Sequence, residues 1–225
     1  MNYWMPLFLR IIKIVLYGIG QGIFILKAKR KEESRKFEIL VSFFFLFMNL
    51  GSILEVFTQN YYPEFYYGDQ YLFIIPISAE AWVYFLGFVG IGILTIGTEL
   101  NVKLKSHGAL SIIPFGLAIA TLFLGVSITD YIYFLALIVS IVPLLYLYIA
   151  IKAPKGLKGK SYSVAFGYFF IFLGEAINYS IITRVYPFKI WTATLESIFG
   201  YSIAFLPPLI IIVGLILLFW GYKIS

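Results

Sequence analysis

The chain has no cysteine, one histidine and two aspartates among 225 residues, and charged side chains make up only 12% of it. The missing thiols exclude disulfides, thiolate metal ligands and cysteine nucleophiles. The single histidine, His107, stands between Lys105 and an apolar run; a zinc site needs several His or carboxylate ligands close together, so no metal site is expected. Asp69 and Asp130 fall in separate short loops, which removes the facing aspartate pair of an intramembrane protease. No glycine-rich phosphate loop, nucleophile elbow or kinase signature is present. The expectation is a protein that is not an enzyme and has no catalytic residues and no cofactor.

What is abundant is apolar surface: 61% hydrophobic residues and a mean hydropathy of +0.94 lie far outside the composition of a soluble domain. Seven stretches are long enough to cross a bilayer as helices, about 5–26, 37–57, 74–97, 109–127, 131–151, 162–183 and 202–222. The first carries Arg10 and Lys13 inside its apolar run and is followed by no clean small-residue cleavage site, so it reads as a retained span and not a signal peptide. The net charge of +6 does not point to nucleic acid, because the basic residues are confined to alternate loops. Lys27, Lys29, Arg30, Lys31, Arg35 and Lys36 follow the first span, Lys103 and Lys105 the third, and Lys152, Lys155, Lys158 and Lys160 the fifth. The opposite loops hold only Arg184 and Lys189, with Glu64, Asp69, Asp130 and Glu196. The positive-inside rule then predicts a multi-pass protein of the cell membrane with its N-terminus outside and its C-terminus in the cytoplasm.

The chain also reads as duplicated. Residues 26–63 lie over 151–188 without a gap, pairing Lys27/Lys152, Ala28/Ala153, Phe44/Phe169, Phe45/Phe170, Phe47/Phe172, Thr58/Thr183 and Tyr61/Tyr186. Residues 89–100 lie over 213–224 and pair Val89/Val213, Gly90/Gly214, Leu94/Leu218 and Gly97/Gly221. The fold class expected is an all-α membrane protein, a single transmembrane domain over 1–225 with seven helices in a 3+1+3 arrangement. Repeat 1 covers about 5–100, a linker helix about 109–127 and repeat 2 about 131–225; an odd linker makes the two triplets a parallel repeat.

Polar groups in hydrocarbon need partners, so their placement carries the functional reading. Arg10, Lys13, Tyr17 and Gln21 are spaced three, four and four residues apart and share one stripe of the first helix. Ser42, Asn49, Ser52 and Glu55 form a stripe on the second; Tyr168, Glu175 and Asn178 form one on the sixth; Glu80 lies in the outer third of the third. Two arrangements that keep the bundle purely structural satisfy the cations: ion pairs of Arg10 and Lys13 with Glu55 and Glu80, or snorkelling to the interface. Glu175, near the midplane, must be paired, hydrated or protonated, and is the strongest single candidate. The repeat does not preserve these groups, since Glu175 overlies Leu50 and Asn178 overlies Ile53. Aromatics crowd the outer loops (Tyr61, Tyr62, Phe65, Tyr66, Tyr67, Tyr71, then Tyr186, Phe188, Trp191), as in an interfacial belt. Gly18 and Gly22, and Gly87, Gly90 and Gly97, predict close helix approach; Pro143 and the pair Pro207 and Pro208 predict kinks in the fifth and seventh helices.

In topology the arrangement resembles sugar-efflux carriers of the SWEET type, microbial rhodopsins and seven-helix sensor domains. No Pro-Gln dipeptide of the carriers is present, and no lysine between Ser202 and Tyr222 could hold retinal. The reading favoured is a small carrier or channel-like transporter of a polar or charged small solute, through a cavity between the two repeats. Glu175, Asn178, Asn49, Glu55, Arg10, Lys13, Gln21 and Glu80 are its ligand-binding or proton-coupling candidates. The alternative is a membrane sensor or subunit that signals through a separate cytoplasmic partner. The partners expected are the lipid bilayer, a small polar solute, and either a second copy or a cytoplasmic protein, with no nucleic acid.

Overall fold

The computed structural model describes residues 4–30, 35–61, 78–102, 108–123, 141–178, 194, 197 and 203–222. Among them the chain is all-helical, with seven α-helices: α1 (Trp4–Arg30), α2 (Arg35–Tyr61), α3 (Ala79–Val102), α4 (Ile112–Thr121), α5 (Ile141–Lys152), α6 (Lys155–Asn178) and α7 (Leu206–Gly221). Short 3-10 turns, Ala109–Ser111 and Ile203–Phe205, lead into α4 and α7. The aromatic segment 62–71, the first half of the span expected at 131–151, and Lys103, Lys105, His107, Asp130, Arg184, Lys189 and Glu196 lie outside the described residues.

Three helices, α1, α2 and α3, are long and apolar enough to cross a membrane, at 27, 27 and 24 residues. The segments Ala109–Thr121, Ile141–Lys152 and Leu206–Gly221 are shorter and apolar. Among the described residues, large apolar side chains are exposed on the outside as well as buried in the core. On α1 the exposed side chains Phe8, Ile11, Val15 and Ile19 make an outward apolar stripe, while Lys13 and Tyr17 are buried. Leu209, Val213, Ile216 and Trp220 do the same on α7, and Phe43, Leu50, Ile53 and Phe57 are exposed on α2. An apolar exterior over a partly polar interior is compatible with membrane insertion and unfavourable in water.

Helix starts depart from the hydropathy boundaries for local reasons. The Ser78 hydroxyl accepts the Ala81 N–H at 3.2 Å, an N-cap that starts α3 five residues after its apolar run begins. Helix α6 begins at Lys155, directly after Pro154, whose carbonyl accepts the N–H groups of Leu157 and Lys158; its polar first turns are helical although hydropathy reads them as loop. The expected interruption at Pro207 and Pro208 is corrected. Both stand in the first turn of α7, where a missing N–H costs no helical hydrogen bond, so they start the helix and do not kink it. Pro143 stands in the first described turn of α5.

The chain divides into two compact units, Met1–Lys13 with Asp130–Ser225, and Ile14–Thr129. In Ile14–Thr129, α2 and α3 pack antiparallel: Gly51 faces Val83 and Leu86, Gly90 faces Phe44 and Phe47, and Gly97 faces Phe37 and Leu40. Phe45 stacks on Phe24 of α1 with ring centroids 5.6 Å apart, and Phe115 of α4 lies over Gly92. In the other unit α6 lies antiparallel to α7 and touches α5. The α6–α7 contact is the tighter one. A Cβ on Gly174 would come within 2.5 Å of Ile211 Cγ1 and 2.9 Å of the Pro207 carbonyl oxygen, and one on Gly214 within 2.8 Å of the Gly167 carbonyl. Only glycine allows backbones to approach this closely.

Candidate functional site

The site is built on α1 and α6. One helical face of α1 carries Arg10, Lys13 and, further on, Tyr17 and Gln21, and the structure buries Lys13 and Tyr17 to 1% and 0% exposure. On α6, Glu175 stands one turn from the described end of the helix and is 2% exposed. The Lys13 ammonium donates to Glu175 Oε1 at 3.5 Å, joining residues 162 positions apart. Both belong to the unit of Met1–Lys13 with Asp130–Ser225. Arg10, one turn before Lys13, and Asn178, one turn after Glu175, extend the polar surface on the two helices and are partly exposed.

This geometry has a definite electrostatic character. At 3.5 Å the two groups form a buried ion pair. Removing either charge takes from the other a buried partner of opposite sign. A buried ion pair of this kind returns little net stability.

The other sequence candidates lie in Ile14–Thr129. Glu55, 2% exposed, accepts from Gln59 Nε2 at 3.5 Å, and Glu80, 3% exposed, accepts the Tyr84 hydroxyl at 3.3 Å. Both contacts are one turn along the same helix. The Gln21 carbonyl accepts Ser42 Oγ at 3.4 Å, a contact of its backbone and not its amide. Asn49 faces α1, its Nδ2 3.6 Å from where a Gly18 Cβ would stand. The structure therefore joins Lys13 to Glu175, a pairing of the first and sixth helices that spacing alone does not suggest, and gives Glu55 and Glu80 each a contact along its own helix.

Two buried polar groups escape a sequence reading. Glu99, 1% exposed near the end of α3, accepts the Leu110 N–H at 3.2 Å and so caps the turn that enters α4, where Gly108 adopts φ 91°. The signal was there in principle, as a carboxylate in an apolar helix, but its partner is a backbone group eleven residues on. Tyr146, Tyr168 and Tyr222 bring their hydroxyls together, 2.6 Å from Tyr146 to Tyr222 and 3.3 Å from Tyr168 to Tyr222, tying α5, α6 and the end of α7. Buried phenols need such partners. Among the described residues no three His, Asp or Glu side chains are grouped to hold a metal ion. Comparisons with protein-family models, characterised proteins and solved structures return no match.

Proposed function

We propose that this chain is a multi-pass protein of the cell membrane, N-terminus outside and C-terminus cytoplasmic, and a small carrier or channel-like transporter whose solute- or proton-binding locus is the Lys13–Glu175 pair. The observation that carries the proposal is the burial of an ion pair on apolar helices. In hydrocarbon such groups are costly, and they concentrate where ions, protons or solutes pass. The membrane reading is supported by the exposed apolar stripes of α1, α2 and α7 and by the concentration of basic residues in alternate loops.

The 3+1+3 duplication is supported by the packing of the matched glycines. Gly90 and Gly97 close on α2 at Phe44, Phe47, Leu40 and Phe37, while Gly214 and Gly221 close on α6 at Gly167, Ile171, Val164 and Lys160. With Lys27 over Lys152, those α6 residues stand over Ser42, Leu46, Ile39 and Arg35, so each half packs its matched helices within about half a turn of the same register. A shared scaffold with different side chains fits an asymmetric locus on one half.

The test is a panel of amino acids, sugars, organic acids and organic cations scored by thermal stabilisation in detergent and then by uptake into proteoliposomes. The expected result is a solute response in wild type that Glu175→Gln abolishes and Lys13→Arg retains in part. Unchanged binding, uptake and pH dependence in Glu175→Gln would remove the pair from the mechanism. A protein that responds to no solute but copurifies with a stoichiometric cytoplasmic partner would favour the sensor reading.

A further inference from the structure

The end of α5 and the first turns of α6 concentrate positive charge in a way their counterpart in the first half does not. Lys152, Lys155, Lys158 and Lys160 fall within nine residues with no acidic residue among them. In the matched turn, Lys27 to Lys36 are interspersed with Glu32 and Glu33, and α2 carries Glu38 in its first turn; α6 has no acid there. Lys155 and Lys160 are exposed and Lys158 half-buried. Lys152 is held in place, its ammonium hydrogen-bonded to the Tyr148 hydroxyl and 4.4 Å from that ring's centroid.

Apolar groups are exposed beside these cations. Leu157 is 54% exposed and Trp220 of α7 55% exposed. The Trp220 indole reaches across to the first turns of α6, with Cη2 4.0 Å from where a Cβ on Gly159 would stand, and nothing lies within 4 Å of a Cβ on Gly156. Clustered lysines repel one another, and negative charge brought from outside the chain relieves that repulsion. The exposed leucine and indole specify what kind. A soluble anion has no use for them, whereas the boundary of headgroup and acyl chain receives both ammonium groups and an amphipathic indole.

We infer that the end of α5 and the first turns of α6, together with Trp220, are a binding surface for anionic phospholipid headgroups, selective beyond the orientation effect of basic loops. The inference rests on the membrane reading above. Each lysine near an anionic surface contributes about fivefold in binding, so Lys155, Lys158 and Lys160 together are worth on the order of 100-fold.

The experiment uses the whole chain in a neutral detergent, titrated with phosphatidylglycerol, with phosphatidylcholine of the same acyl chains, and with inorganic phosphate, read by native mass spectrometry and by the thermal midpoint. The result expected is retention of phosphatidylglycerol, but not phosphatidylcholine, by wild type, a rise in midpoint that weakens with salt, and loss of selectivity in Lys155→Gln/Lys158→Gln/Lys160→Gln. Trp220→Ala should weaken phosphatidylglycerol without creating a preference for phosphatidylcholine. Equal retention of the two lipids by wild type, selectivity unchanged in the triple variant, or the same stabilisation by inorganic phosphate would each overturn the inference. The wild-type comparison decides even if the variant does not fold. A chain that stays soluble and monodisperse without detergent would instead break the membrane reading itself.

Discussion

Replacing Glu175 by Gln leaves the Lys13 ammonium buried without its carboxylate. At 3.5 Å the mutual attraction is about 5 kcal/mol for an effective dielectric near 20, and it offsets a desolvation penalty of several kcal/mol for each ion. Removing one partner forfeits the attraction and keeps the other ion's penalty, so Glu175→Gln and Lys13→Met should each cost about 3–5 kcal/mol. Removing both exchanges a balanced pair for apolar and amide groups of similar volume, and Lys13→Met/Glu175→Gln should return to within about 1 kcal/mol of wild type. For a chain of this size the single variants should lose roughly 2–4 °C of thermal midpoint per kcal/mol, measured in one detergent at fixed lipid. Single variants indistinguishable from wild type would mean that both groups are hydrated. A double variant as unstable as the two losses combined would mean that the residues act independently and that their proximity carries no energy.

Three further outcomes follow from the packing. Gly174→Ala should cost about 1–3 kcal/mol, because its Cβ meets Ile211 and the Pro207 carbonyl, whereas Gly22→Ala, with nothing within 4 Å, should be neutral or stabilise α1 by about 0.5–1 kcal/mol; equal midpoints for the two would contradict the α6–α7 contact. Glu99→Ala should cost about 1–2 kcal/mol and speed hydrogen exchange over residues 108–121, since the Leu110 N–H loses its acceptor; unchanged exchange there would deny the cap. Tyr222→Phe removes the hydroxyl shared by Tyr146 and Tyr168 and should cost about 1–3 kcal/mol, more than Tyr168→Phe, with the reverse order refuting Tyr222 as the centre of the cluster.

The helices were legible in the sequence where apolarity alone decides, as in α1 and α2, and their ends were not. A hydropathy window cannot see that Ser78 caps α3, that a lysine-rich turn after Pro154 is already helical, or that Pro207 and Pro208 stand where a helix begins. The polar stripes followed from periodicity, which ties Arg10 to Lys13 and Glu175 to Asn178 within their helices. Periodicity says nothing of which stripe meets which, so the partnership of Lys13 with Glu175 across 162 positions emerges only from the fold. Glu99 and the tyrosine cluster share this difficulty. Their partners are a backbone amide and hydroxyls on other helices, and no spacing rule marks either.

The most direct test of the Lys13–Glu175 locus is infrared difference spectroscopy of the protein in lipid, with the Glu175 carboxyl band assigned by its absence in Glu175→Gln. A solute from the panel that stabilises the wild type should change that band, and should change it differently in Lys13→Met. A Glu175 band that no solute and no change of pH disturbs would mark the pair as fixed bundle glue and contradict a transport role.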